Sequence, residues 1–98
     1  MRNGFSVFIT PAAERSCKIL PREVKDFVFQ ELALLLGKNP LAGEALVPPL
    51  EPLRSFHFTK DGQKYRVAYT VDERTKKIIV HFVGHRSGFY ERLRHLFR

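Results

Sequence analysis

The sequence predicts an α+β fold in the order β-α-α-β-β-β-α. A mainly antiparallel, four-stranded sheet would carry two N-terminal helices on one face and end in a short C-terminal helix. Three observations predict it. The first half holds a proline-punctuated helical pair with an apolar stripe. The second half holds period-two strands joined by turn signals. The last strand, Val80-His81-Phe82-Val83, stops at Gly84 and hands over to a polar segment and a helix. At 98 residues the chain is expected to be one domain, 1–98.

The elements follow in order. Phe5, Val7 and Ile9 alternate in a β-branched, apolar run, which predicts a strand. Thr10-Pro11 then supplies an N-cap and a proline at the first helical position, where its missing N–H costs nothing. This helix runs to about Leu20, and Pro21 opens the next. There Val24, Phe27, Val28, Leu32, Leu35 and Leu36 recur at three- and four-residue spacing and form a core-facing stripe. Gly37 suits the C′ position, and Asn39-Pro40 forbids continuation. A proline-rich connector leads to a hairpin of Leu53–Thr59 and Tyr65–Val71, turned at Asp61-Gly62. A second hairpin leads to Ile78–Val83. The last helix, roughly Gly88 to Phe97, has Phe89, Leu93, Leu96 and Phe97 on one side.

Composition narrows the function classes. A 44% hydrophobic and 28% charged chain fits a folded soluble protein. No apolar run approaches the ~18 residues of a membrane span. Met1 to Phe5 contains no hydrophobic signal core. The single Cys17 excludes an internal disulfide and fits a reducing cytoplasm, so a cytoplasmic location is expected. Cys17 itself reads as a half-buried helix residue. The net charge of +7 is unevenly placed: residues 1–51 balance six basic against six acidic groups, and residues 52–98 carry eleven basic against four acidic. An excess confined to one half is the footprint of a polyanion-binding face on a neutral scaffold.

Strand parity suggests where that face lies. Phe56 and Phe58 share one side of their strand, with Ser55, His57 and Thr59 on the other. In the next strand Tyr65, Val67, Tyr69 and Val71 oppose Arg66, Ala68 and Thr70. If the apolar sets face the helices, His57 and Arg66 emerge together. Arg86 leaves the last strand nearby, and Tyr90 follows about one helical turn later. Arg54, Lys60, Lys64 and His85 would ring this set as RNA-binding groups. His81, alternating with Val83, reads as partly buried and structural.

The chemistry is narrowed by what is missing. There is no carboxylate pair for glycoside hydrolysis, no metal-ligand spacing, no glycine-rich phosphate loop and no nucleophile elbow. No metal or other cofactor is expected. What remains is metal-free chemistry on a phosphodiester. RNA brings its own nucleophile, the 2′-OH. The protein must then supply a base, an acid and cations. Arginine binds phosphate bidentately and stays charged.

The order of these motifs resembles a known family. Thr10-Pro11-Ala12-Ala13-Glu14, the helical pair around Leu20-Pro21-Arg22-Glu23-Val24, and the Asn39-Pro40-Leu41 exit are joined by three later features. These are Tyr65-Arg66-Val67-Ala68-Tyr69, Val83-Gly84-His85-Arg86 and Tyr90. Together they resemble the RelE/ParE superfamily of bacterial type II toxin–antitoxin toxins, over essentially the whole chain. The resemblance implies the RelE-like microbial RNase fold and a cognate antitoxin protein as partner. RelE-like members cleave mRNA in the A site of the 70S ribosome by 2′-OH attack, leaving a cyclic phosphate and a 5′-OH. On that pattern Arg66 and Arg86 match phosphate-contacting arginines, and Tyr90 matches a candidate base. His57 falls near a position held by lysine or histidine. The strand with Ser55, His57 and Thr59 departs from a lysine-rich pattern, which leaves the acid open among His57, Arg54, Lys60 and Lys64. ParE-like members share the fold and inhibit DNA gyrase instead. A non-catalytic basic domain that binds antitoxin or nucleic acid is the third reading. The Arg66, Arg86 and Tyr90 set favours the RNase.

Overall fold

A computed structural model describes residues 4–96 of the chain. The readings made on Met1–Asn3 and on Phe97 lie outside those residues. The elements are β1 (Ser6–Ile9), α1 (Pro11–Lys18), a helical stretch α2 over residues 22–38, β2 (Glu44–Ala45), β3 (Arg54–Lys60), β4 (Gln63–Asp72), β5 (Lys77–His85) and α3 (Phe89–Leu96). The sheet order is β1-β5-β4-β3-β2, with β1 parallel to β5 and the other pairs antiparallel. The expected α+β architecture is present, with five strands rather than four. The extra strand is two residues of the proline-rich connector, where Glu44 and Ala45 pair with Ser55 and Arg54.

Thr10 caps α1 as its residue type dictates: the Ala13 N–H donates to Thr10 Oγ1 at 3.0 Å. In α2 the buried residues are Val24, Val28, Leu32 and Leu36, a strict four-residue repeat. Such a repeat drifts by about 40° per step around an α-helix of 3.6 residues per turn. The middle of α2, Phe27–Leu32, is π-helical, and its wider turns hold the repeat on the sheet. Leu35 does not belong to the buried stripe; it is 40% exposed. Gly37 is not a C′ residue either. It lies inside the last turn, and a Cβ there would come within 2.9 Å of the Phe5 carbonyl oxygen, so glycine is needed for close approach to the chain before β1. Asn39 ends the helix.

Two apolar clusters lie on opposite faces of the sheet. The helix-side core joins Ala13, Cys17 and the α2 repeat to Tyr65, Val67, Tyr69, Ile78, Val80 and Val83. Burial pushes the Cys17 thiol up to about 11, so it stays a packed, unreactive thiol at neutral pH. Val80 and Val83 are three apart yet face the same core. A bulge opposite Ala68/Tyr69 permits this, with Ala68 facing Phe82 and Tyr69 facing Val80. His81 sits in the bulge, half-buried, with Nε2 3.0 Å from Thr70 Oγ1. Ser16 covers the edge that β1 leaves bare: the Val83 N–H donates to its Oγ at 3.1 Å.

The second face was expected to be open and basic. Its middle is instead covered by a smaller cluster of Leu50, Leu53, Ala68, Phe89 and Leu93, through which α3 and the connector pack on the sheet. The connector is pinned from the other side by Tyr69, a fully buried residue. Its hydroxyl donates to the Pro40 carbonyl and accepts the Gly43 N–H, both at 2.8 Å. Removing that hydroxyl leaves two backbone groups without a partner, at about 1–3 kcal/mol. Tyr69→Phe is expected to lower stability by that amount in chemical denaturation. An unchanged unfolding midpoint would show that water replaces the hydroxyl.

Candidate functional site

The β3–β4 register places His57 directly opposite Arg66, as parity anticipates, and places Gly84 of β5 on the other side of Arg66. The absence of a side chain at Gly84 makes room for Arg92 and the Phe82 ring, which a Cβ there would meet at 3.0 and 3.2 Å. Arg66 turns back over α3, with its Cζ 5.0 Å from the centre of the Tyr90 ring. Cationic groups at that distance from an aromatic face attract it. Tyr90 is held there by its neighbours. Phe89 and Leu93 are buried in the second cluster, and the Phe89 ring lies edge-on to Tyr90 at 5.3 Å. The chain enters α3 through Gly88, whose φ of +72° suits a residue without a side chain. Arg86 is fixed at its backbone, where its N–H donates to the Lys64 carbonyl at 2.9 Å.

These groups surround an open hollow of about 280 Å³, lined by His57, Thr59, Lys64, Arg66 and Arg86 among others. Tyr90 meets it through the Arg66 guanidinium. Three permanently or normally positive side chains converge, and a carboxylate stands at the edge: Glu44 Oε1 lies 3.8 Å from His57 Nε2. The His57 imidazole is held below its usual range, first by burial, then by the Arg66 charge, with Glu44 pulling the other way. At neutral pH the ring is therefore uncharged, so the Glu44 contact is not an ion pair there. Among the described residues, no group of three or more His, Cys, Asp or Glu side chains is placed to hold a metal ion.

Of the eight residues singled out from the sequence, five come together: His57, Lys64, Arg66, Arg86 and Tyr90. The other three do not join that cluster. Arg54 shares the helix-side parity of Tyr69, and its Nε donates to the Gly43 carbonyl at 3.0 Å, so it braces the connector. Lys60 places its Nζ over the Phe27 ring at 5.8 Å, on α2. His85 is paired with Tyr65, on the helix-side face, and meets that ring edge-on at 5.5 Å. All three have the parity of core residues, a signal readable from period two alone. Glu44 was missed because nothing in the proline-rich connector marks a strand there.

A family model described as the ParE-like toxin of type II bacterial toxin–antitoxin systems matches residues 7–94. A chain of the Mycobacterium tuberculosis RelBE2 toxin–antitoxin complex is 28% identical, with a TM-score of 0.73 over 86% of this chain and 100% of that one. A mutant of the Escherichia coli toxin RelE in its free state gives a TM-score of 0.71 at 13% identity, covering 96% and 99% of the two chains. The intact E. coli RelBE toxin–antitoxin complex gives 0.63 at 18% identity over 87% and 99%. The E. coli likenesses speak for the fold. No curated protein sequence matches the chain.

Proposed function

From the premise that this chain belongs to the ParE-like toxin family of type II bacterial toxin–antitoxin systems, we propose that it is a ribosome-dependent mRNA endonuclease that blocks translation by metal-free 2′-OH attack. The observation that carries the reading is the convergence of His57, Arg66 and Arg86 on one hollow, with Tyr90 beneath Arg66. A gyrase inhibitor has no need of that set. The 2′-OH proton passes to Tyr90, the base that the resemblance implies. The 2′-oxygen bonds to phosphorus, and the P–O5′ bond breaks. A proton from His57 goes to the leaving 5′-oxygen. Arg66 and Arg86 neutralise the charge on the pentacoordinate phosphate, aided by Lys64. A cognate antitoxin is the expected protein partner, since two of the structures that this chain resembles are toxin–antitoxin complexes.

The test is induction in cells followed by primer extension on abundant messages. Cuts in phase with codons, lost in an Arg66→Ala, Arg86→Ala variant that stays folded, are the expected result. Intact mRNA with blocked supercoiling would transfer the protein to the gyrase inhibitors.

His57 gives the reaction a pH dependence of definite sign. In the free protein burial and Arg66 keep it unprotonated at neutral pH. A bound phosphodiester offsets the Arg66 charge and raises the pKa, so the acid is loaded by the substrate. The protonated form acts, so the rate of the bound complex falls on the alkaline side, with a midpoint above that of the free ring. His57→Gln should remove that limb. A limb that persists in the variant assigns the acid elsewhere.

A further inference from the structure

A second hollow adjoins the first at the tip of the β3–β4 hairpin. It is lined by Gly62, Gln63, Lys64, His85, Arg86 and Ser87, so Lys64 and Arg86 belong to both. Its floor is organised by a short chain of hydrogen bonds. The Ser87 backbone N–H donates to His85 Nδ1 at 3.2 Å. That contact leaves the ring hydrogen on Nε2, which donates to Gln63 Oε1 at 2.9 Å. With one lone pair of its oxygen engaged, Gln63 keeps both amide N–H donors for a ligand. Lys64 and Arg86 offer only donors. The Arg86 N–H to Lys64 carbonyl bond ties the segment after β5 to the start of β4 and holds the backbones that carry these donors in register before a ligand arrives.

We propose that this second hollow is a subsite for the phosphate next to the scissile one, with Gln63 as its specificity-determining residue and His85 positioning it through the ring hydrogen bond. The inference rests on the nuclease reading of the adjoining hollow. A donor-rich site of this kind favours an acceptor-rich anion over groups that must donate. Continuity through Lys64 and Arg86 suits an anion covalently linked to the first, which is what successive phosphates of one strand are. His85 thus serves RNA binding without touching the Arg66 cluster.

The test is fluorescence anisotropy with a labelled single-stranded oligonucleotide carrying 2′-deoxy sugars, which lacks the nucleophile and stays intact. One neutral methylphosphonate linkage is moved along it, one position per probe. Wild-type protein is expected to show two sensitive positions, adjacent in the strand, each weakening binding roughly five- to tenfold. Gln63→Ala keeps one and loses the other; His85→Ala does the same more weakly; Gln63→Glu weakens binding of every probe charged at that position. Arg66→Ala loses the complementary position. A wild-type profile with one sensitive position or none, no binding at all, or a Gln63→Ala profile equal to wild type overturns the subsite. Both sensitivities persisting in Arg66→Ala, with the Gln63 effect intact, would instead count against the role given to the first hollow. Gln63 is exposed, so its variants are expected to keep the wild-type circular dichroism spectrum.

Discussion

Arg66→Ala is expected to lower mRNA cleavage by about two to three orders of magnitude, the range typical for removing a preorganised donor to a developing negative charge. Three roles meet in this side chain. On the proposed mechanism it offers a planar fork to phosphate; it adds to the burial that lowers the His57 pKa, and it lies over Tyr90. The variant loses all of them. Arg66→Lys keeps the charge but loses the planar fork and much of the ring contact, so it should recover only part of the rate. The folded state changes little by comparison. A guanidinium over an exposed-to-half-buried ring contributes about 0.5–1 kcal/mol. Growth arrest on induction, cleavage by primer extension and thermal unfolding measured together separate the two effects. A stable Arg66→Ala protein that still arrests growth would remove this arginine from the reaction.

Much of that arrangement was legible in period two. His57 and Arg66 share one face because Phe56, Phe58, Tyr65 and Val67 take the other, and their cross-strand pairing follows. The same rule, applied consistently, excludes Arg54 and Lys60 from the cleft, because each shares parity with core residues. Their charge and nearness in sequence to His57 and Arg66 say nothing about which face they take. The bulge was invisible, because an apolar run reads alike with and without an extra residue. Yet it decides that Val80 and Val83 both point inward. Gly37 misled for a related reason: a glycine near a helix end fits a C′ position, and only the approach of the Phe5 carbonyl shows its real use.

The two faces of β4 carry separate tasks. Tyr65, Val67 and Tyr69 build the helix-side core, and Tyr69 fastens the connector with its hydroxyl. On the reverse, Arg66 faces the hollow and Ala68 sits under α3. Ala68 is small where its neighbours are large, which lets Phe89 and Leu93 settle against the sheet. The fold and the proposed reaction are therefore joined through one residue of the strand and one turn of helix.

That junction gives the second large effect. Leu93→Ala is expected to cost about 2–5 kcal/mol, out of roughly 5–15 for a domain of this kind. Leu93 is fully buried, yet the cluster that holds it is small, so the loss falls first on α3. Among the described residues, few hydrogen bonds tie this helix down. The Phe89 N–H reaches the Arg86 carbonyl at 3.3 Å, and Arg92 Nη2 reaches the His85 carbonyl at 3.5 Å, both long. Once the helix loosens, Tyr90 leaves the Arg66 guanidinium and the proposed base is misplaced. Hydrogen exchange should show amides of α3 losing protection well before those of β4 and β5, with cleavage falling under conditions where the sheet remains intact. Leu93→Met, which keeps the volume, should retain most of both. If α3 and β4 instead lose protection together, the helix unfolds only with the whole domain, and the small cluster is an ordinary part of a single cooperative core.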